Sequence, residues 1–581
     1  MPRNKGRLFW SADFETSTQT WYERDGYARV WLWAIYDISV DDMKVGYDLD
    51  SFMDYTLRYR TPNPIIYFHN LKFDGSYILN WLLRHDYTVV EDKITDLKQV
   101  KTSISDMGLW YAIDVSVYKS KNKVFTVRFQ DSLKKIPMRV EDIPEAFGFE
   151  ETDAKGHIDY DKYRPVGYIP TEEELHYIYE DVIIVAKALK QLEEENFTKM
   201  TGSSDAFDSW KKSLLTDKAK AKKLSAEKTY RDIFPILPLE VDDYIRNAYR
   251  GGWTYVNPRY AGQVITRRVE VWDINSMYPS KMVNKYLPVY EPIFFRGKPK
   301  PKKTQCYICR VIMSFDLKEG YLPTIQLKHS GMFNPTEYIA SSNGKEVEMT
   351  LTNIDLHLIF RHYNVHFIEY LDGYYFYKAK GMFDKHIATN MKIKEASTGG
   401  RRYMAKSRMN QVYGKLATSP HKVMKLPYLD EDGVLRFTFT EEKDEEPQYT
   451  AMSVFITSWA RYDIITDAQN NYDRFIYCDT DSLHMIANED GSEPNLPIHQ
   501  SHLGYYKKEH DVIKSMFLRS KTYIEQYANG DIEIKCAGAS PEVKKGMSFE
   551  NFKIGGRYEG KLMPKQVKGG CILFNSTFTI K

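Results

Sequence analysis

Two short acidic motifs lie far apart in the chain: Asp273-Ile274-Asn275-Ser276-Met277-Tyr278-Pro279 and Tyr477-Cys478-Asp479-Thr480-Asp481-Ser482. Each follows an apolar, β-favouring stretch, Val269-Glu270-Val271-Trp272 and Phe475-Ile476, and each sets carboxylate beside an aromatic ring. If folding brings Asp273 and Asp481 together, the pair can hold two divalent cations. Such a pair clamps the attacking and leaving oxygens of a phosphoryl transfer. Magnesium, which takes a few carboxylate oxygens plus substrate phosphates, suits the arrangement. Taken alone, Asp-x-Asp also reads as a plain hairpin turn.

A second acidic set lies near the N-terminus. Leu8-Phe-Trp-Ser-Ala-Asp13-Phe-Glu15-Thr16 reads as a strand, and Asp13 and Glu15, two apart, face the same side of it. Asp74 closes the segment Ile65-Ile-Tyr-Phe-His-Asn-Leu-Lys-Phe-Asp74, and Asp181 opens an apolar helix with Tyr177 four residues earlier on the same face. Four acids from three separated elements can enclose two metals for hydrolysis. One metal activates water and the other stabilises a departing 3′-oxygen.

These groups need elements to position them. Gly381 to Ala417 reads as a long helical pair broken at Ser397-Thr-Gly-Gly400. Its second helix carries Arg401, Arg402, Lys406, Arg408, Asn410 and Tyr413. Arg402 and Lys406 project on one side, with Tyr413 near the same face, as a cationic stripe facing a triphosphate requires. Lys406 is the first choice of phosphate ligand and Lys394 on the preceding helix the second. Upstream, the glycines of Tyr249-Arg250-Gly251-Gly252 permit close approach of backbone to phosphates. Asp479-Thr-Asp481 reads as a tight hairpin between two strands.

The 581 residues exceed one core, so two to four domains are expected. An apolar fraction of 43% with many aromatics excludes a disordered chain. The net charge of +2 announces no nucleic-acid partner, but its distribution is uneven. Lys211 to Lys228 holds seven Lys, Arg296 to Lys303 is a basic loop, and Lys544 to Lys568 is a third basic stretch. Singly each reads as a solvated face; together, around a catalytic centre, they fit phosphate binding. Cys306 and Cys309 have zinc-like spacing without a second pair, so strand packing is expected for them. Reduced thiols suit a cytosolic protein. No signal peptide is visible and no apolar run reaches the roughly 20 residues of a membrane span.

In order and spacing, these motifs, with Lys406-x-x-x-Asn410-Gln411-Val412-Tyr413-Gly414, Thr457-Ser458-Trp459-Ala460-Arg461 and Lys521-Thr522-Tyr523, resemble those of family B DNA polymerases. The resemblance is closest to the protein-primed replicases of small linear-genome bacteriophages and runs from about Ser11 to the C-terminus. It implies an α+β multidomain fold, a ribonuclease-H-like 3′→5′ exonuclease domain followed by a right-hand polymerase with two insertions. The exonuclease is expected over 1–200, the palm over 201–324 and 447–536, the insertions over 325–381 and 418–446, the fingers over 382–417 and the thumb over 537–581.

The resemblance also implies roles. Asp273, Asp479 and Asp481, with the Ile274 carbonyl, would serve polymerisation metals, Asp479 as ligand or supporting partner. Tyr278 would exclude a 2′-hydroxyl, and Asn410 and Tyr413 would contact the nascent base pair. Gln411 stands where the family commonly has Ser, which puts template contact at that residue in question. Tyr249, Gly251 and Gly252 would contact template, Thr457 and Arg461 would touch the primer or support the palm, and Lys521 and Tyr523 would track primer phosphates. Asp13, Glu15, Asp74 and Asp181 would be the exonuclease acids, with Tyr177 orienting water and Lys155 assisting. Asn70, Phe73, Ser132 and Leu133 would hold a frayed primer end. The roles of His157 and Asp159 stay open.

The implied cofactor is Mg2+ or Mn2+, two ions per active site. The implied partners are primer–template DNA, deoxynucleoside triphosphates and a terminal priming protein, with no membrane. The chain would act as a monomer or a heterodimer with the priming protein, in the cytoplasm of an infected bacterial host. Rival readings are a nuclease alone and a non-catalytic DNA-binding protein. An RNA polymerase is discouraged by Tyr278 and by Asp-Thr-Asp in place of adjacent aspartates.

Overall fold

The computed structural model describes residues 8–121, 123–149, 158–160, 162–216, 223–327 and 338–581. Lys155, His157 and part of the Lys211 to Lys228 run lie outside them. The N-terminal unit is built on an eight-stranded sheet. At its centre Phe9–Thr16 pairs antiparallel with Val30–Asp37 and parallel with Ile65–Phe68, which in turn runs parallel to Lys123–Asp131. The central strands read as near-continuous apolar runs because helices cover both faces. Leu71–Arg84 buries Leu71, Tyr77, Ile78 and Leu82 on one face. Glu172–Glu194, fixed at its start by a Thr171/Glu174 capping box, buries Ile178, Val182, Ile184 and Val185 on the other.

The second large sheet has seven strands, ordered Ile532–Cys536, Thr522–Tyr527, Tyr506–Arg519, Val269–Ile274, Ser482–Ile486, Phe475–Asp479 and Thr254–Val256. Every neighbouring pair is antiparallel. One face packs Trp272, Ile274, Leu483 and Tyr506 against Ile464 and Ile465 of the helix Thr450–Asn470. Strand alternation therefore puts Val271 and Asp273 on the opposite face.

Two helices, Asp384–Ala396 and Gly399–Leu416, break where the sequence places the break. Gly399 takes a left-handed φ of +55°, and a β-carbon there would lie 2.2 Å from the Phe147 carbonyl oxygen of the N-terminal unit. Beyond them, Lys425–Leu429 and Leu435–Phe439 form a hairpin. Asp430 closes its turn by accepting from the amides of Asp432 (3.1 Å) and Val434 (2.8 Å).

A four-stranded sheet of Leu287–Arg296, Tyr363–Ala379, Gln305–Leu317 and Val347–Thr352 includes strands on both sides of residue 325, where the first insertion is expected to open. Its first strand begins at Leu287, because the long strand Tyr363–Ala379 needs partners on both edges and finds them upstream. Cys306 and Cys309 lie on one of these strands, free and buried, packed into two different hydrophobic clusters. They are core residues, as expected. The basic loop after Arg296 joins two strands of this sheet.

The C-terminal hairpin, Arg557–Val567 and Gly570–Thr579, reaches back to the start of the chain. At its tip Ala28 N donates to the Lys568 carbonyl (2.9 Å), Tyr77 Oη donates to the Cys571 carbonyl (2.5 Å), and Val434 bridges Lys568. Val567, Cys571, Ile572 and Leu435 are buried in the core of the N-terminal unit. The two ends of the chain thereby pack against each other.

Candidate active sites

The seven-stranded sheet joins the two acidic motifs. Register sets Asp273 opposite Ser482 on one side and Lys507 on the other. Asp479 pairs with Ser482, Thr480 takes a φ of +71°, and Asp481 N donates to the Asp479 carbonyl at 2.8 Å. Ile274 N donates to the Asp481 carbonyl at 2.9 Å, so residues distant in sequence are hydrogen-bonded neighbours. Burial, then the charges of Asp481 and Glu509, pushes the Asp273 carboxyl up to about 7. Burial raises Asp481 to about 6, with Asp479 and Glu509 adding to it against a backbone hydrogen bond. Mutually repelling, partly desolvated carboxylates are the donor set whose charge a divalent cation relieves, so these residues fit metal ions. Asp479 accepts from Lys521 Nζ at 2.7 Å, which ties it to the strand turn that carries Lys521.

Opposite the acids stands a cationic group. Lys394 is held below the usual lysine range by burial and then by Arg402, Lys406 and Lys507. Lys406 also acts on Asp273. Arg402 donates to the Lys394 carbonyl at 2.7 Å, locking the two helices together. Tyr278 and Tyr413 stack, with centroids 4.4 Å apart at 23°. Asn410 is half-buried on the same helix. Gln411 turns away: its side chain lies against Gly202, where a β-carbon would come within 2.6 Å of its Oε1. It packs on the helix Gly202–Ser213.

Lys507 and Glu509 went unnoticed in the sequence. Only cross-strand register carries them to Asp273.

Support for the site is buried. Arg461 donates to the carbonyls of Arg250 (2.7 Å) and Gly251 (2.9 Å) and to Asp355 Oδ1. Asp355 also accepts from Thr352 and Ser458 hydroxyls, each at 2.8 Å. Arg461 and Thr457 are 3% and 1% exposed, buried within this network. A β-carbon on Gly252 would lie 2.6 Å from Thr480 Cγ2 and 3.0 Å from Tyr278 Oη. This glycine is what lets the Tyr-x-Gly-Gly segment lie against both motifs; Tyr249 is half-buried beside it, and Gly251 is exposed. Tyr523 is largely buried against Tyr477, Phe517 and His484, so its ring belongs to the sheet's aromatic cluster, while Lys521 stays exposed.

In the N-terminal unit, Asp74 sits in the first turn of Leu71–Arg84 and is pushed well above the carboxylate range by burial, with Asp13, Glu15 and Asp131 adding charge. Three of the four expected acids are thus mutually coupled, again a donor set that fits cations. Asp181 acts on His69 beside them. Tyr177 hydrogen-bonds Tyr160 between hydroxyls at 3.2 Å, and the Tyr160 hydroxyl is held up by partial burial and by Glu15. Tyr160 carried no sequence signal. Asp159 is exposed and accepts from the Lys162 amide.

Asp131, also missed, is buried and accepts from the amides of Asn70 (3.1 Å) and Leu133 (3.0 Å), clamping both expected primer contacts in place. Ser132 is fully buried and donates to the Phe68 carbonyl. Phe73 is half-buried near Tyr77.

Residues 56–496 match the family described as DNA polymerase type B, organellar and viral. The chain is 40% identical over 595 residues to the DNA polymerase of Bacillus phage phi29, covering 99% of each. It is 35% identical over 599 residues to the DNA polymerase of Streptococcus phage Cp-1, covering 99% of this chain and 98% of that one. Its fold matches phi29 DNA polymerase complexed with primer-template DNA and incoming nucleotide substrates with a TM-score of 0.90, at 38% identity, covering 99% of this chain and 100% of the other.

Proposed function

The chain belongs to the organellar and viral type B DNA polymerases, and on that footing we propose that it copies a linear phage genome with two active sites: polymerisation at Asp273 and Asp481, and 3′→5′ proofreading hydrolysis at Asp13, Glu15, Asp74 and Asp181. The observation that carries this reading is that the Ile274 amide donates to the Asp481 carbonyl, setting the Asp273 and Asp481 carboxylates side by side, with Lys394, Arg402, Lys406 and Lys507 converging on them.

Those cations bind the triphosphate of an incoming deoxynucleotide. Tyr278, backed by Tyr413, forms the floor under its sugar, and a 2′-hydroxyl collides with the ring. Asp273 and Asp481 hold the divalent cations that the family normally uses, with Asp479 supporting and the Ile274 carbonyl adjacent. When bound, such ions supply Lewis-acid stabilisation of the attacking 3′-oxygen and the leaving pyrophosphate. Exposed Lys521 steadies the primer backbone. In the other site Tyr177, paired with Tyr160, orients the hydrolytic water, while Asn70, Phe73 and Leu133 receive the frayed end. Lys155 is proposed to assist.

The four-stranded insertion docks a priming protein whose hydroxyl stands in for a primer 3′-oxygen at initiation. The ring formed by the second insertion, the C-terminal hairpin and the exonuclease unit supports strand displacement without a separate clamp. The work is done in the cytoplasm of the infected host. Among the described residues no helix is long and apolar enough to cross a membrane.

The test is extension of a labelled primer–template with magnesium and four deoxynucleotides, then the same reaction without nucleotides. Asp481→Ala should lose extension and keep 3′ shortening; Asp13→Ala should show the reverse. Shortening without extension in the unaltered protein would leave only the nuclease reading.

A further inference from the structure

Away from both acid sets, the outer half of the seven-stranded sheet holds a second kind of cluster. His510 on Tyr506–Arg519, Glu525 on Thr522–Tyr527 and Glu533 on Ile532–Cys536 each offer one ligand atom, all within 4.8 Å of one another. Three features separate this cluster from a chance grouping of charges. Glu525 and Glu533 are direct cross-strand partners, and like charges directly opposite destabilise a sheet unless something lies between them. His510 Nε2 is buried with no hydrogen-bond partner, although an imidazole nitrogen withdrawn from water needs one. Each carboxylate is held from behind: His484 Nδ1 lies 2.8 Å from Glu525 Oε1, and Tyr527 Oη donates to Glu533 Oε2. Lys535 Nζ, 2.5 Å from Glu533 Oε1, balances part of that charge. Glu525 is 1% exposed and His484 2%.

We propose that His510, Glu525 and Glu533 bind a structural zinc ion that clips three palm strands together. An imidazole with two carboxylates suits zinc, and the observed spread needs only small side-chain rotations to close onto bonds of about 2.0–2.2 Å. Outer partners that orient ligands, here His484 and Tyr527, are the usual companions of such a site. The strands it ties carry Lys507, Glu509 and Lys521 towards Asp273 and Asp479 and lead into the C-terminal hairpin. The clip therefore stiffens the outer half of the seven-stranded sheet.

The full chain with Asp13→Ala and Asp481→Ala, which removes ligands of the other two sites, is stripped with chelator and titrated with zinc chloride by calorimetry. The expected result is one zinc per chain, retained through gel filtration, and a zinc-dependent rise in melting temperature. His510→Ala and Glu533→Gln in the same background should each weaken binding by at least about tenfold and abolish the thermal shift. Both residues are half-buried, and circular dichroism checks that each variant is folded. No zinc binding in the parent, or equal binding in folded His510→Ala, overturns the proposal.

Discussion

Replacing Asp273 by Asn should stabilise the metal-free protein while abolishing extension. The Asp273 carboxyl titrates at about 7 in the fold against 3.8 for an unperturbed Asp. Below 3.8 both the folded and unfolded chains are protonated and the site costs nothing. Between 3.8 and about 7 the unfolded chain ionises while the folded one resists, so stability falls by about 1.36 kcal/mol per pH unit. Above about 7 the loss is complete. From about pH 5 to about pH 7 the fall is at most about 2.7 kcal/mol. Asp273 is only half-buried, and solvent screening reduces this to roughly half, about 1.3 kcal/mol. Asn cannot ionise, so the advantage of the variant should widen by that amount over the same range and then level off. A chain of several domains has no single unfolding free energy, so the suitable assay is local. Amide hydrogen exchange on Val269–Ile274 in chelator, at about pH 5 and about pH 7.5, reports the opening free energy of that strand. A variant no better protected than the parent at the higher pH, or an advantage identical at both, would refute the reasoning.

Other outcomes follow from the same geometry. Asp355→Ala leaves Arg461 buried without its carboxylate and should cost about 3–5 kcal/mol, with primer extension falling alongside; calorimetric melting that matches the parent would remove Asp355 from the supporting network. Gly569 holds a φ of +96°, and a β-carbon there would lie 2.2 Å from the Ala28 carbonyl oxygen. Gly569→Val should therefore lift the hairpin tip, adding about 1–2 kcal/mol of backbone strain, and shorten products made in one binding event in the presence of a DNA trap. Unchanged product length would argue that the ring does not hold DNA. Tyr278→Val should raise ribonucleotide insertion at least about tenfold, equivalent to about 1.4 kcal/mol of lost discrimination, in single-nucleotide assays; no change would place sugar selection elsewhere.

Much of the chemistry was legible in the amino-acid sequence because it depends on local patterns. Asp13-x-Glu15 on a strand, Tyr177 and Asp181 one helical turn apart, and Arg402 and Lys406 on one helix face are set by periods of two and 3.6 residues, which any strand or helix imposes. The break between the helices Asp384–Ala396 and Gly399–Leu416 was equally local, written in Gly. What escaped is what register and packing decide. Glu509 and Lys507 acquire their place only from the pairing of Tyr506–Arg519 with Val269–Ile274. Asp131 acquires its place from the parallel pairing of Lys123–Asp131 with Ile65–Phe68, and Tyr160 from a turn brought against Tyr177. Arg461, Thr457 and Ser132 carry groups able to bind DNA, yet burial turns them inward, a distinction that residue type cannot make. The pairing of Tyr363–Ala379 with two strands upstream of residue 325 was hidden for the same reason, since a strand's partners can lie anywhere in the chain. Sequence alone thus determined which residue types stand together on each element. Tertiary structure alone decided which elements meet, because hydrogen-bonded register and the burial of apolar faces act between segments far apart along the chain.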